Sequence, residues 1–98
     1  MPHHRVQEIQ RILTQTLCAA MCEVRDDSAA HIGHAGAAYG AGHYCVLIVA
    51  KCFEGLSAVA RHRQVYQALA GWMGPEIHAL QIQAHTPDEW DQRASSTS

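Results

Sequence analysis

Eight histidines stand among the 98 residues, and imidazole is the side chain best placed to bind a metal or change charge near neutral pH. His31 and His34 lie at H-x-x-H spacing inside the Ala/Gly-rich stretch 29–42, AAHIGHAGAAYGAG. Composition alone reads them as two solvated histidines of a mobile loop, whose glycines permit motion. His78 opens an alternating stretch in phase with Leu80 and Ile82, so spacing alone reads it as a core histidine with one nitrogen satisfied. His43 reads as structural, at a strand entry, and His3, His4 and His85 read as surface residues. Arg61-His62-Arg63 forms a cationic corner that suits phosphates or an acidic surface, or else a solvated turn with the Arg63 stem on Tyr66. The cysteines, Cys18, Cys22, Cys45 and Cys52, form no C-x-x-C pair. In a reducing compartment they read as buried small hydrophobes.

Composition narrows the classes. Ninety-eight residues make one small domain, and 48% hydrophobic content supplies a core. Charged residues are 16% and the formal net charge is -2, which excludes a strongly basic nucleic-acid module. The longest apolar run, Tyr44 to Ala50, is far short of the roughly 20 residues of a membrane span. The N-terminus carries no apolar stretch of the signal-peptide kind, so a cytoplasmic location is expected. No G-x-S-x-G, P-loop or H-E-x-x-H string is present, and the apolar settings of the cysteines disfavour a thiolate nucleophile. A non-enzymatic role is expected.

The elements that position these residues follow from periodicity. Val6, Ile9, Ile12/Leu13, Leu17 and Ala20 predict an amphipathic helix over roughly residues 3–20. Cys22-Glu23-Val24 predicts a short strand ended by Asp26-Asp27-Ser28, and Tyr44 to Lys51 a central strand, apolar on both faces. Phe53-Glu54-Gly55 is a turn. Leu56 to Met73 keeps helical spacing, but Arg61 to Arg63 interrupts the apolar stripe, which predicts a short helix, a turn and a longer helix before Gly74-Pro75. Ile77 to Ala84 alternates as a third strand. Thr86-Pro87-Asp88-Glu89 predicts a capped last helix anchored by Trp90. One domain over 1–92 and a disordered tail over 93–98 are expected.

Several local strings in this order resemble the BolA family: Phe53-Glu54-Gly55, Ala60-Arg61-His62-Arg63 with Val65-Tyr66, Ile77-His78-Ala79-Leu80, and Thr86-Pro87-Asp88-Glu89-Trp90. Asp26-Asp27-Ser28 followed by His31 fits the family's acidic turn and loop histidine. The likeness runs from about Val6 to Trp90. It implies an α+β, type II KH-like fold in the order α-β-β-α-α-β-α, with a three-stranded mixed sheet. It implies partnership with a monothiol glutaredoxin, the pair holding a glutathione-bound [2Fe-2S] cluster for iron–sulfur delivery or iron sensing. His78 and His31, with His34 in reserve, would be the metal ligands from this chain. Imidazole in place of thiolate raises the potential of such a cluster. The alternative implied is DNA binding as a transcriptional regulator, through a helix-turn-helix-like region around Arg61, His62 and Arg63 with Lys51. Gly33 to Gly36 spells the G-x-x-G of KH domains, but between two strands rather than two helices, which makes it a coincidence. The free domain is expected to be a monomer or weak dimer with no membrane contact.

Overall fold

The computed structural model describes residues 2–27 and 42–96. The first helix, α1 (Pro2–Leu17), starts on a proline, whose fixed φ suits the first helical position. Ile9, Leu13 and Leu17 recur every fourth residue and are buried, with Val6 and Ile12 packed beside them. Gln7, Arg11 and Gln15 line the exposed side.

Strand β1 (Met21–Asp26) pairs antiparallel with β2 (Gly42–Val49), which pairs parallel with β3 (Ile77–His85). The order β1-β2-β3 puts β2 in the centre, as its two apolar faces predict. Tyr44, Val46 and Ile48 point into the core against α1, while Glu23, Arg25, Gln81 and Gln83 stand exposed on the other face.

A parallel pair requires a crossover. Here it consists of a 3₁₀ turn (Lys51–Phe53) and α2 (Ala58–Ala68). Phe53 is fully buried, and Gly55 takes φ +78, which glycine accepts without strain. The Ser57 hydroxyl accepts from the Ala60 N–H at 3.1 Å and caps α2.

The predicted break at Arg61 to Arg63 does not occur: α2 is one uninterrupted helix. Arg61 falls four residues before Val65 and eight before Leu69, both fully buried, so it occupies the inner face of the same stripe. Its guanidinium donates to the carbonyls of Leu56 (3.0 Å) and Ala84 (3.1 Å) and to both carboxylate oxygens of Glu89 (2.7 and 3.0 Å). An arginine with four of its five N–H donors directed at acceptors can sit where the pattern calls for an aliphatic residue.

Glu89 belongs to the predicted capping box. The Glu89 N–H donates to Thr86 Oγ1 (3.2 Å), and the Thr86 N–H donates back to Glu89 Oε1 (3.0 Å). This box opens α3 (Pro87–Ser96), which runs through residues expected to form the tail.

The hydrogen bonds from Arg61, then that from the Thr86 backbone, lower the Glu89 carboxyl from 4.5 to about 2. A depressed folded-state pKa contributes stability above the unfolded value and loses it as pH falls through the folded one. The stability advantage of the parent over Glu89→Gln should therefore be full above about pH 4.5 and shrink steadily toward pH 2, read by urea unfolding at stepped pH.

Candidate functional site

The parallel strands start side by side, and their start is irregular. Gly42 pairs with Ile77 and His43 with Ala79, so His78 is an extra residue on β3 opposite a single step of β2. Such a bulge re-aims side chains by breaking the period of two. Ile77 before it is buried and Leu80 after it packs on the core, whereas His78 is exposed. Simple alternation would have put His78 with Leu80 and Ile82. The bulge overturns that core reading.

The re-aimed ring meets His43. The two imidazole centroids are 5.1 Å apart and tilted by 52°. His43, which the sequence reading set aside as structural, is thus the neighbour that reasoning from spacing missed. Its only signal was its place at the entry of a strand running parallel to the one His78 opens.

Gly42 holds this corner in shape. Its N–H donates to the Glu76 carbonyl at 3.0 Å, and a β-carbon added to it would come within 2.5 Å of the Tyr44 ring. The Asp27 N–H donates to the His43 carbonyl at 2.7 Å. The chain therefore leaves after Asp27 and returns at Gly42 beside the histidine pair. His31, His34, the G-x-x-G string and residues 29–41 of the expected mobile loop lie outside the described residues, while Gly42, expected to close that loop, opens β2.

Two concavities flank the sheet. A pocket of about 280 Å³ borders His43, lined by Asp27, Tyr44, Cys45, Ala79 and Gln81. A larger groove of about 640 Å³ runs along the open face between Arg25, Leu47 and Gln83 and does not touch His78. The smaller one adjoins the His43 imidazole; neither is lined by His78. Among the described residues no group of three or more His, Cys, Asp or Glu side chains is arranged to hold a metal ion. A metal at His78 therefore needs further ligands, from segment 28–41 or from a partner.

The cationic residues differ in how far they are engaged within the fold. Arg61 is occupied as described, with its side chain 13% exposed, and no turn splits α2 into a helix-turn-helix. His62 is half-buried, while Arg63 and Lys51 are exposed on separate elements. Lys51 follows Ala50, whose N–H donates to the His85 carbonyl, so it lies at the end of the sheet opposite His78. His85, expected on the surface, is half-buried against Trp90, with ring centroids 5.6 Å apart.

A small α+β domain, with a three-stranded mixed sheet and an exposed histidine on the bulged start of its last strand, is the class this geometry defines. The family model described as BolA-like protein matches residues 13–89, and the chain belongs to the BolA family. It is 42% identical over 82 residues to human BolA-like protein 1, covering 84% of this chain and 58% of that protein, so it spans under three fifths of the relative's length. Over 50 residues it is 48% identical to the DNA-binding transcriptional regulator BolA of Vibrio cholerae, covering 51% of this chain and 47% of that one. The BolA domain of SufE1 from Arabidopsis thaliana superposes with a TM-score of 0.77 at 38% identity, over 87% of this chain and 94% of that domain.

Gly42→Ala should cost about 1–3 kcal/mol through the clash with the Tyr44 ring. It should also shift the imidazole NMR signals of both His43 and His78, because the Gly42 corner seats both rings.

Proposed function

We propose that this chain is a non-enzymatic cytoplasmic adaptor that binds a monothiol glutaredoxin and shares a [2Fe-2S] cluster with it, for iron–sulfur delivery or iron sensing. The observation that carries the reading is the exposed His78 ring at the bulge, at the sheet end where segment 28–41 departs and returns. Among the described residues no hydrogen bond engages the His78 ring, so a nitrogen lone pair is available to iron.

His31 lies four residues beyond Asp27, a reach of about 14 Å at full extension, and His34 three further on. Either histidine is tethered close enough to supply the second nitrogen. The sulfur ligands would come from the glutaredoxin cysteine and glutathione.

The second reading, DNA binding, is favoured by the name of the Vibrio cholerae relative. Here it would rest on Arg63 and Lys51, since Arg61 is engaged within the fold. Two exposed cations make a small phosphate footprint, whose affinity would be weak and would fall with salt.

His78→Ala should fold with stability within about 0.5 kcal/mol of the parent, as expected of an exposed residue. Co-purified with a monothiol glutaredoxin, it should lose or alter the visible absorption and circular dichroism of the cluster. An unchanged cluster spectrum would overturn the assignment, and sub-micromolar duplex DNA binding by the free chain at physiological salt would promote the second reading.

A further inference from the structure

Two exposed cysteines lie at the end of the sheet away from the histidines. Cys18 directly follows α1, and Cys52 sits in the 3₁₀ turn after β2. Their exposure departs from the buried role that composition suggested. The Cys52 thiol donates to the Leu17 carbonyl at 3.6 Å, and that carbonyl carbon is bonded to the Cys18 nitrogen. Standard peptide dimensions then keep the Cys18 Cα within about 6.5 Å of the Cys52 sulfur. Burial pushes the Cys52 thiol up, and the nearby Cys18 adds to the effect. The two thiols are thus close enough to interact electrostatically.

The backbone singles out Cys18 independently. Its φ of +51 makes it the one non-glycine residue in the left-handed region among the described residues. The Ala19 N–H donates to the Thr14 carbonyl at 3.2 Å, the six-residue closure of a Schellman motif. Cys18 occupies the position glycine normally fills, where a β-carbon is unfavourable. Capping gives no reason for a cysteine there. The other two cysteines are set apart: Cys22 is buried, with its thiol pushed up to about 11 by that burial, and Cys45 lies on the open sheet face among Arg25, Asp27 and Gln81.

We propose that Cys18 and Cys52 are a redox-active pair that closes into an intramolecular disulfide on meeting a small-molecule disulfide such as oxidised glutathione. One cysteine thiolate attacks the glutathione disulfide, forming a mixed disulfide and releasing one glutathione thiolate. The second cysteine thiolate attacks the protein sulfur of that mixed disulfide and releases the other. The protein gives up two electrons and two protons, and two molecules of glutathione carry them away. The bond would tie the end of α1 to the turn after β2 and enclose β1 and β2 in a covalent loop. The histidine pair lies at the other end of β2, where His43 stands six residues, or about 20 Å, before the strand's last residue, so the chemistry of the cysteines is independent of any cluster.

The test is to incubate the full chain with oxidised glutathione and map its disulfides by mass spectrometry without reduction. The expected product is a Cys18–Cys52 cross-linked peptide lacking two hydrogens, reversed by dithiothreitol, in a protein whose Tm rises on the order of 10 °C. Cys18→Ala and Cys52→Ala should each stop at a mixed disulfide on the remaining cysteine with no such rise, while Cys45→Ser should still cross-link. Separate glutathione adducts on Cys18 and Cys52 without a cross-link, or a cross-link through Cys22 or Cys45, would overturn the proposal.

Discussion

Ile77 and Ala79 pair with consecutive residues of β2, and His78 between them has no β2 partner of its own. That one extra residue divides β3 into two phases. Ile77 faces the core before it, and Leu80, Ile82 and Ala84 pack toward the core after it. A strand of strict alternation would bury residue 78 or expose residue 77. With the bulge, Ile77 keeps its apolar contacts and the imidazole reaches solvent. The parallel direction of β2 and β3 then decides what lies beside it. Parallel neighbours start at the same end, so His43 and the departure point of segment 28–41 gather around His78, while the ends of both strands carry Lys51 and the α3 cap to the far side.

The far side is organised by Arg61. It joins four pieces of chain: α2 that bears it, the loop carbonyl of Leu56, the β3 carbonyl of Ala84 and the α3 residue Glu89. An unpaired guanidinium on the inner face of α2 would be costly, since a buried charge is tolerated only when paired and hydrogen-bonded. Glu89 is 46% exposed, so its half of the ion pair is screened by water. Its more secure contribution is geometric, because the same carboxylate closes the Thr86 box and aims the Arg61 fork. The chain from α2 to α3 is thereby fixed without any large apolar residue at position 61.

The periodic parts of the sequence were legible for ordinary physical reasons. Ile9, Leu13 and Leu17 follow a helical stripe, Val46 and Ile48 follow a strand, and Thr86 with Glu89 spells a capping box; all three behave as their spacing dictates. The failures sit where long-range partners decide the matter. Arg61 looked like a break because its acceptors lie 23 and 28 residues away. His78 looked buried because a bulge depends on how β3 docks onto β2, which no local pattern records. His43 looked structural because its neighbour is 35 positions further along the chain. Cys18 looked buried because nothing in the string TLCAAM marks a left-handed helix end at a cysteine. At His78 the family strings imply a ligand where spacing implies a core residue, and the exposure of the ring removes the core reading.

The placement of positive charge bears on how the molecule meets a partner. Of the seven Lys and Arg side chains, Arg5, Arg11, Arg25 and Arg61 are ion-paired with Glu76, Glu8, Asp27 and Glu89. Arg93 lies 5.8 Å over the Trp90 ring. Lys51 and Arg63 remain as exposed cations, one in the turn after β2 and one on α2. Affinity for a phosphate backbone scales with the number of phosphates neutralised, and two exposed cations on a chain of net charge -2 release few counterions. A directional bond needs no such footprint. One imidazole lone pair, held at a bulge and left without a hydrogen bond among the described residues, can add a ligand to a cluster whose other donors come from elsewhere. The distribution of charge and the aim of His78 therefore support the proposed reading, in which recognition is by coordination and not by electrostatic field.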